Sequence, residues 1–299
     1  MHVFVTGATG WVGSVVVKEL LGAGHRVTGL VRDAGKAGAL AATGATVLHG
    51  TLDDLDMLRR AAGEADAVIH TAFNHDFSKF AANAEQDRRT IELFGEALAG
   101  SPSGPGKPLL VTSGLAMLAQ GRPATEEDVP ADHPAMPRKS EVAARLLAAR
   151  GVRAATVRLS PSVHGLGESH GFIPILIRLA REKGVSAYVG EGMNRWAGVH
   201  RLDAGRLYRL ALEQGVTQAV YHAVADEGVP FREIAAVIGR RLGLPVQSRG
   251  PEHFGWFGGF AAMDMSASAT RTRALLGWEP TQPGLLADID QPGYYAEQG

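Results

Sequence analysis

Short apolar runs recur along the first half of the chain, and each pair is separated by enough residues for one amphipathic segment. Val3–Val5, Arg26–Val31, Thr46–His49, Ala67–Thr71, Leu109–Thr112 and Ala154–Leu159 have strand length. They lack the strict alternation that a half-solvated sheet would impose, so they predict strands buried on both faces. Between them, Val12–Leu21, Leu55–Ala62, Phe80–Leu98 and Lys139–Ala149 carry apolar residues at helical period. Strands alternating with helices imply right-handed crossovers and a parallel sheet covered on both sides: an α/β, doubly wound fold. The turn-rich "SPSGPGKP" (Ser101–Pro108) reads as a surface connection into the fifth strand rather than a domain linker.

Composition narrows the partners. A chain of 299 residues, 45% hydrophobic and 20% charged, can bury a full core as one large α/β domain or a domain with a smaller lobe. A net charge of −1 gives no general field for nucleic acid or an anionic membrane, so neither is an expected partner. The absence of cysteine removes disulfides, thiolate metal sites and a cysteine nucleophile. The first residues run straight into a strand, and no apolar window of about 18 residues follows, so a cytoplasmic location is expected.

The strongest chemical signal is "FVTGATGWVGSVVVKELL". A strand ends at Thr6, glycines follow at Gly7, Gly10 and Gly13, and a helix begins at once. The first glycine permits a tight turn, the second lets backbone approach a pyrophosphate, and the third lets the helix press on the sheet. Thr6, Thr9, Trp11 and Val12 complete the candidate loop. A tight turn with no ligand is the alternative reading. At the end of the second strand, "RVTGLVRD" places Arg32 before Asp33. An arginine there suits the 2′-phosphate of NADP through a forked, charged contact. NAD stays open if the Asp33 carboxylate faces the ribose, and Arg32 as an ordinary solvated residue stays open as well.

By these residues the chain resembles the short-chain dehydrogenase/reductase superfamily, in the extended and atypical branches that include NAD(P)-dependent epimerases and dehydratases. The glycine loop, "VIHTAF" (Val68–Phe73), "LLVTSG" (Leu109–Gly114), "VRLSPSVHG" (Val157–Gly165), "GVHRLD" (Gly198–Asp203) and "LLGWEP" (Leu275–Pro280) carry the likeness. Leu159 and Ser160 stand where many relatives have proline. The resemblance implies a Rossmann-type domain over 1–165, with 198–225 returning to its sheet. A smaller substrate-binding lobe would comprise 166–197 and 226–299. It adds Leu52, Thr71, Ala72, Phe73, Ser160 and Val163 to the candidate cofactor contacts, and a monomer or homodimer is expected.

In most of that superfamily a tyrosine precedes a lysine by four residues, and the lysine lowers the tyrosine pKa for proton transfer. Here Glu141 resembles the glutamate that follows the lysine by four, which puts Pro137 at the lysine position and His133 at the tyrosine position. The usual pair is missing. Lys139 in the other register has Ala135 four residues before it. An atypical subgroup that the chain resembles carries histidine and arginine instead. His133, with an ordinary pKa near ~6.5, then becomes a candidate proton carrier and Arg138 a candidate for the phosphate or ribose. A loop histidine and an exposed first-turn arginine are the alternative.

Ser113, at the carboxyl end of the fifth strand, is placed to polarise a carbonyl, or else to cap the next turn. Thr112 beside it points the other way. His164 falls where relatives often have tyrosine and is a further catalytic candidate. Asn74, His75 and Asp76 can replace the tyrosine or simply start a helix. His170 and Phe172 border the glycine-rich stretch 165–171. Neither helical zinc-ligand spacing nor a G-x-S-x-G elbow occurs, so no metal and no hydrolase triad is expected. Trp196, Phe254, Trp256, Phe257 and Phe260 suit an apolar substrate, or a core. No cluster of arginines marks a sugar-diphosphate site, though Arg195 and Arg201 can take part in one. The expected function is an NADP(H)-dependent oxidoreductase acting on a small carbonyl or alcohol. The alternatives are a non-catalytic redox sensor and an epimerase or dehydratase on a sugar derivative.

Overall fold

The computed structural model describes residues 1–100, 106–119, 121–130 and 138–296. The first part of the 101–108 connection, His133 and Pro137 lie outside the described residues. The chain divides into two compact units: Met1–Ser113 with Ala131–Arg158 and Gly205–Tyr221, and Gly114–Pro130 with Leu159–Ala204 and His222–Gly299.

The first unit is built on the expected alternation. Strands β1 (His2–Thr6), β2 (Arg26–Val31), β3 (Thr46–His49), β4 (Ala67–His70), β5 (Leu109–Gly114) and β6 (Ala154–Leu159) are interleaved with helices α1 (Gly13–Gly22), α2 (Ala37–Ala41), α3 (Leu55–Glu64), α4 (Phe80–Ala99) and α5 (Ser140–Ala149). With the later strand β10 (Val220–Ala223) they form a seven-stranded sheet in the order β10-β6-β5-β4-β1-β2-β3. The pairings of β1 with β2 and β4, of β2 with β3, and of β4 with β5 are parallel. This is the doubly wound Rossmann-type arrangement, and its strand order reverses at β1 and β4, where ligands of such sheets are held. One face of the sheet is closed by Leu58, Ile91, Phe94, Leu98 and Leu147 from α3, α4 and α5, packed on Phe4, Val68 and Val111. Strands β1, β4, β5 and β6 are buried along nearly their whole length, as expected of strands covered on both sides, whereas β3, at the edge of the sheet, is not: Thr46 and His49 are exposed and Val47 and Leu48 only half-buried.

The second unit contains β7 (Ser162–His164), β8 (Ser186–Val189), β9 (Arg195–His200), β11 (Asp226–Pro230) and β12 (Val246–Arg249). Its helices are α6 (Phe172–Lys183), α8 (Phe231–Leu242), α9 (Gly258–Ala262), α10 (Thr270–Leu276) and α11 (Leu285–Ile289). Helix α7 (Arg201–Glu213) begins in this unit and continues into the first. The strands form a three-stranded sheet, β11-β9-β7, and a parallel pair, β12-β8. Trp196, Phe231, Phe254 and Phe257 are buried, with Trp196 and Phe231 edge to face at 4.8 Å. Three of the aromatic residues considered for substrate binding, Trp196, Phe254 and Phe257, thus make hydrophobic core, with Phe260 packed against it. Trp256, 64% exposed, does not.

The "GVHRLD" and "LLGWEP" segments meet here. The Asp203 carboxylate accepts the backbone N–H groups of Thr281 and Gln282 at 3.0 Å each, and the Trp278 indole N–H donates to the Asp203 carbonyl at 3.0 Å. Two distant motifs are thereby one structural joint.

Candidate functional site

The turn after β1 is shaped by steric necessity. Gly7 has φ +67°, and a Cβ there would lie 2.6 Å from Thr71 Oγ1 and 2.8 Å from the Ala72 backbone nitrogen. A Cβ on Gly13 would lie 2.1 Å from the Gly7 carbonyl oxygen. Glycine is required at both positions because backbone passes where side chains would be. Gly10 is exposed, and its N–H closes the turn on the Gly7 carbonyl at 2.8 Å. Helix α1 starts at Gly13, so its N-terminal dipole is directed at the open side of the loop. This cradle fits a pyrophosphate, which needs backbone N–H groups and no intervening Cβ.

The other candidates of the first unit surround it in different ways. Arg32 directly follows β2 and is exposed. The Asp33 carboxylate instead accepts the Gly35 N–H at 2.9 Å, capping a short turn. Leu52 is half-buried against the core. The Thr71 hydroxyl donates to the Thr6 carbonyl at 2.8 Å, which ties the end of β4 to the end of β1. Asp76 caps the turn before α4 by accepting the Ser78 N–H at 3.1 Å, and the Asn83 amide holds the carbonyls of Asn74 and Asp76. Ser113 is half-buried at the end of β5.

Arg138 is no exposed first-turn residue. Its guanidinium carbon lies 4.1 Å from the Phe73 ring centroid. Its Nε donates to Ser140 Oγ at 2.7 Å and its Nη2 to the Thr112 carbonyl at 2.8 Å. The Ser140 hydroxyl in turn donates to Asp87 Oδ2 at 2.5 Å, and His70 Nε2 pairs with Asp87 Oδ1 at 3.1 Å. His70 Nδ1 ends the chain on Thr6 Oγ1 at 2.7 Å. Burial pushes the Arg138 guanidinium below its ordinary range, and Asp87 offsets part of that. Burial alone would raise Asp87, but His70, Arg138 and Ser140 together hold it below the ordinary carboxylate range. On the other side of the strand, Thr112 Oγ1 donates to the His70 carbonyl at 2.8 Å and accepts from the buried Tyr208 hydroxyl at 2.7 Å. Burial raises the Tyr208 pKa, so this phenol is a core donor and no replacement for a catalytic tyrosine.

In the second unit, the Ser160 hydroxyl is committed to the Ala223 carbonyl at 2.7 Å. Val163 is half-buried on β7. His164 is fully buried; its Nδ1 contacts Asp288 Oδ2 at 2.8 Å, and its Nε2 has no hydrogen-bond partner among the described residues. Tyr294 donates to the same Asp288 oxygen at 2.5 Å and accepts the Gly165 N–H at 2.6 Å. Burial would raise Asp288, but these two donors hold it low. Glu168 nearby is pushed up to about 8 by burial and by the Asp288 charge. Its Oε2 has no partner among the described residues.

A family model described as "NAD dependent epimerase/dehydratase family" matches residues 3–224, spanning the cradle and everything up to β10. The chain belongs to this family. An uncharacterised Schizosaccharomyces pombe protein, C2A9.02, is 46% identical over 99% of this chain and 100% of its own. A Stigmatella aurantiaca 4-hydroxy-2-methyl-3-oxo-4-farnesyl-3,4-dihydroquinoline-1-oxide ketoreductase is 26% identical over 83% of this chain and 75% of its own. Among solved structures, a double mutant of a Streptomyces venezuelae dTDP-glucose 4,6-dehydratase, DesIV, with NAD and DAU bound, is similar in fold. Its TM-score is 0.76 at 20% identity, over 100% of this chain and 98% of that one.

Within this epimerase/dehydratase family member, Glu141 keeps a structural place. It accepts two hydrogen bonds from the fully buried Arg158, at 2.7 and 2.6 Å, and one from Arg145 at 2.9 Å. The residues that sequence reasoning missed are His70, Asp87 and Ser140. Each sits in an ordinary strand or helix pattern, and only a polar residue at a buried position, Asp87 on the inner face of α4, signalled them.

Proposed function

We propose that the protein is a nicotinamide-dependent oxidoreductase that takes NADP(H) and acts on a small carbonyl or alcohol substrate. The observation that carries this reading is the cradle, in which Gly7 and Gly13 let backbone pass where a Cβ would clash, at the turn from β1 into α1. Residues 7–13 hold the pyrophosphate, Thr71, Ala72 and Phe73 border it, and Arg32 takes the 2′-phosphate, since Asp33 is already occupied by its own turn. When bound, the dinucleotide supplies or accepts a hydride. The Ser113 hydroxyl donates a hydrogen bond to the substrate oxygen and stabilises the charge that develops there. The proton is handled by a group other than tyrosine. The ketoreductase relative is in keeping with a carbonyl substrate.

The test is Ser113→Ala, assayed with NADPH against ketones, aldehydes and quinones. NADPH affinity should be retained while turnover falls roughly 30- to 1000-fold, corresponding to roughly 2–4 kcal/mol at the transition state. An unmutated protein that binds NADPH tightly yet oxidises it with none of these compounds would shift the reading to a redox sensor.

A further inference from the structure

Arg138 has an unusual set of surroundings for a cation. It is partly buried, has its guanidinium carbon 4.1 Å from the Phe73 ring centroid, and makes no direct ion pair with Asp87, the carboxylate whose charge acts on it. Ser140 stands between the two, accepting from Arg138 Nε at 2.7 Å and donating to Asp87 Oδ2 at 2.5 Å. The second Asp87 oxygen is used by His70, whose other ring nitrogen meets Thr6 at the end of β1. The connection therefore runs from the last residue before the glycine turn to the arginine beside Phe73, through β4, α4 and the start of α5. Phe73 in turn follows Thr71 and Ala72, the residues closest to Gly7.

A buried arginine paired directly with a carboxylate would be neutralised and inert. One separated from its counter-ion by a hydroxyl stays oriented, because two of its nitrogens have fixed acceptors, yet keeps charge to offer a ligand. We infer that Asp87, Ser140 and His70 are positioning residues that hold Arg138 as the fixed cation for the nicotinamide-ribose half of the dinucleotide. This rests on the proposed cofactor reading and adds to it a division of labour. The glycine loop and Arg32 hold the adenosine half, and the Asp87 relay governs the other half through Arg138 alone.

The experiment measures two ligands by calorimetric titration: NADPH, and adenosine 2′,5′-bisphosphate, which lacks the nicotinamide riboside. The proteins are the unmutated chain, Asp87→Asn, Ser140→Ala, Arg138→Ala and the double variant Asp87→Asn/Arg138→Ala. Asp87→Asn should weaken NADPH about 5- to 20-fold and Ser140→Ala about 2- to 5-fold, with the bisphosphate changed less than about twofold in both. In the Arg138→Ala background, Asp87→Asn should make less than about a twofold further difference to NADPH. A purely structural Asp87 would weaken both ligands alike, or act equally with and without Arg138; either result overturns the inference. If Asp87→Asn does not fold, Ser140→Ala carries the same test, since it removes only the bridging hydroxyl. Failure of the unmutated chain to bind NADPH or NADH overturns the cofactor reading itself, and with it this inference.

Discussion

Arg32 and Asp33 are adjacent, and their local chemistry already divides the two dinucleotides. The arginine extends into solvent beyond β2 while the aspartate is spent on the Gly35 N–H. Arg32→Ala should weaken NADPH by on the order of 1.5–3 kcal/mol and barely affect NADH, as read by titration of both cofactors; equal affinities in the unmutated protein would remove the argument. Glu168 gives a different residue-scale signal. Its carboxyl is raised to about 8 in the fold by burial and Asp288, from an ordinary 4.5. The folded state therefore holds a proton that the unfolded chain has released between those values. Stability should fall as pH rises from about 4.5 to about 8 and level off above. Glu168→Gln, which keeps the neutral shape, should flatten that decline and gain up to a few kcal/mol near pH 8 in urea titrations; an unchanged slope would count against it. The space is tight: a Cβ at Gly171 would lie 1.4 Å from Glu168 Oε1, so Gly171→Ala should be tolerated only when Glu168 is shortened.

At the scale of elements, the strands and helices of the first unit were legible because each strand carries a short run of consecutive apolar residues and each helix carries one apolar stripe. The strands observed at Arg26–Val31, Thr46–His49 and Ala154–Leu159 coincide with their apolar runs, and α1 starts one residue after the expected Val12. The glycine loop was legible too, since Gly7 and Gly13 are fixed by backbone sterics that any such turn must obey. What could not be read was how α4 and α5 present polar groups to each other. Asp87 and Ser140 are 53 residues apart, and their hydrogen bond depends on helix packing rather than on local spacing. Glu141 on α5 is likewise held by Arg158 on β6. Because Arg158 is fully buried and gives Glu141 two hydrogen bonds, Glu141→Ala should cost more in denaturant unfolding than loss of an exposed pair such as Arg59 with Glu96.

For the whole molecule, binding to the folded state alone should appear as thermal stabilisation. NADPH at about 100 times its dissociation constant should add roughly 2.7 kcal/mol, and NADH at the same concentration less; a melting temperature unmoved by either would oppose the cofactor reading. Among the described residues no helix is long and apolar enough to cross a membrane. The sequence made the sheet visible and left the second unit mostly opaque, because that unit is assembled from segments far apart in the chain. His164 needs Asp288, 124 residues later, and Glu126 needs Thr272, 146 residues later. Ala124 and Trp196 form bridges with Ala267 and Met265. During synthesis, then, the ribosome delivers the partners of this unit last. A nascent chain ending before Met265 has already exposed Phe231, Trp196 and Phe257 without Met265, Leu285 and Ile289, which pack in the same core. Such arrested chains should be cut readily by protease within the second unit and should bind chaperones, until the final segment emerges and closes it.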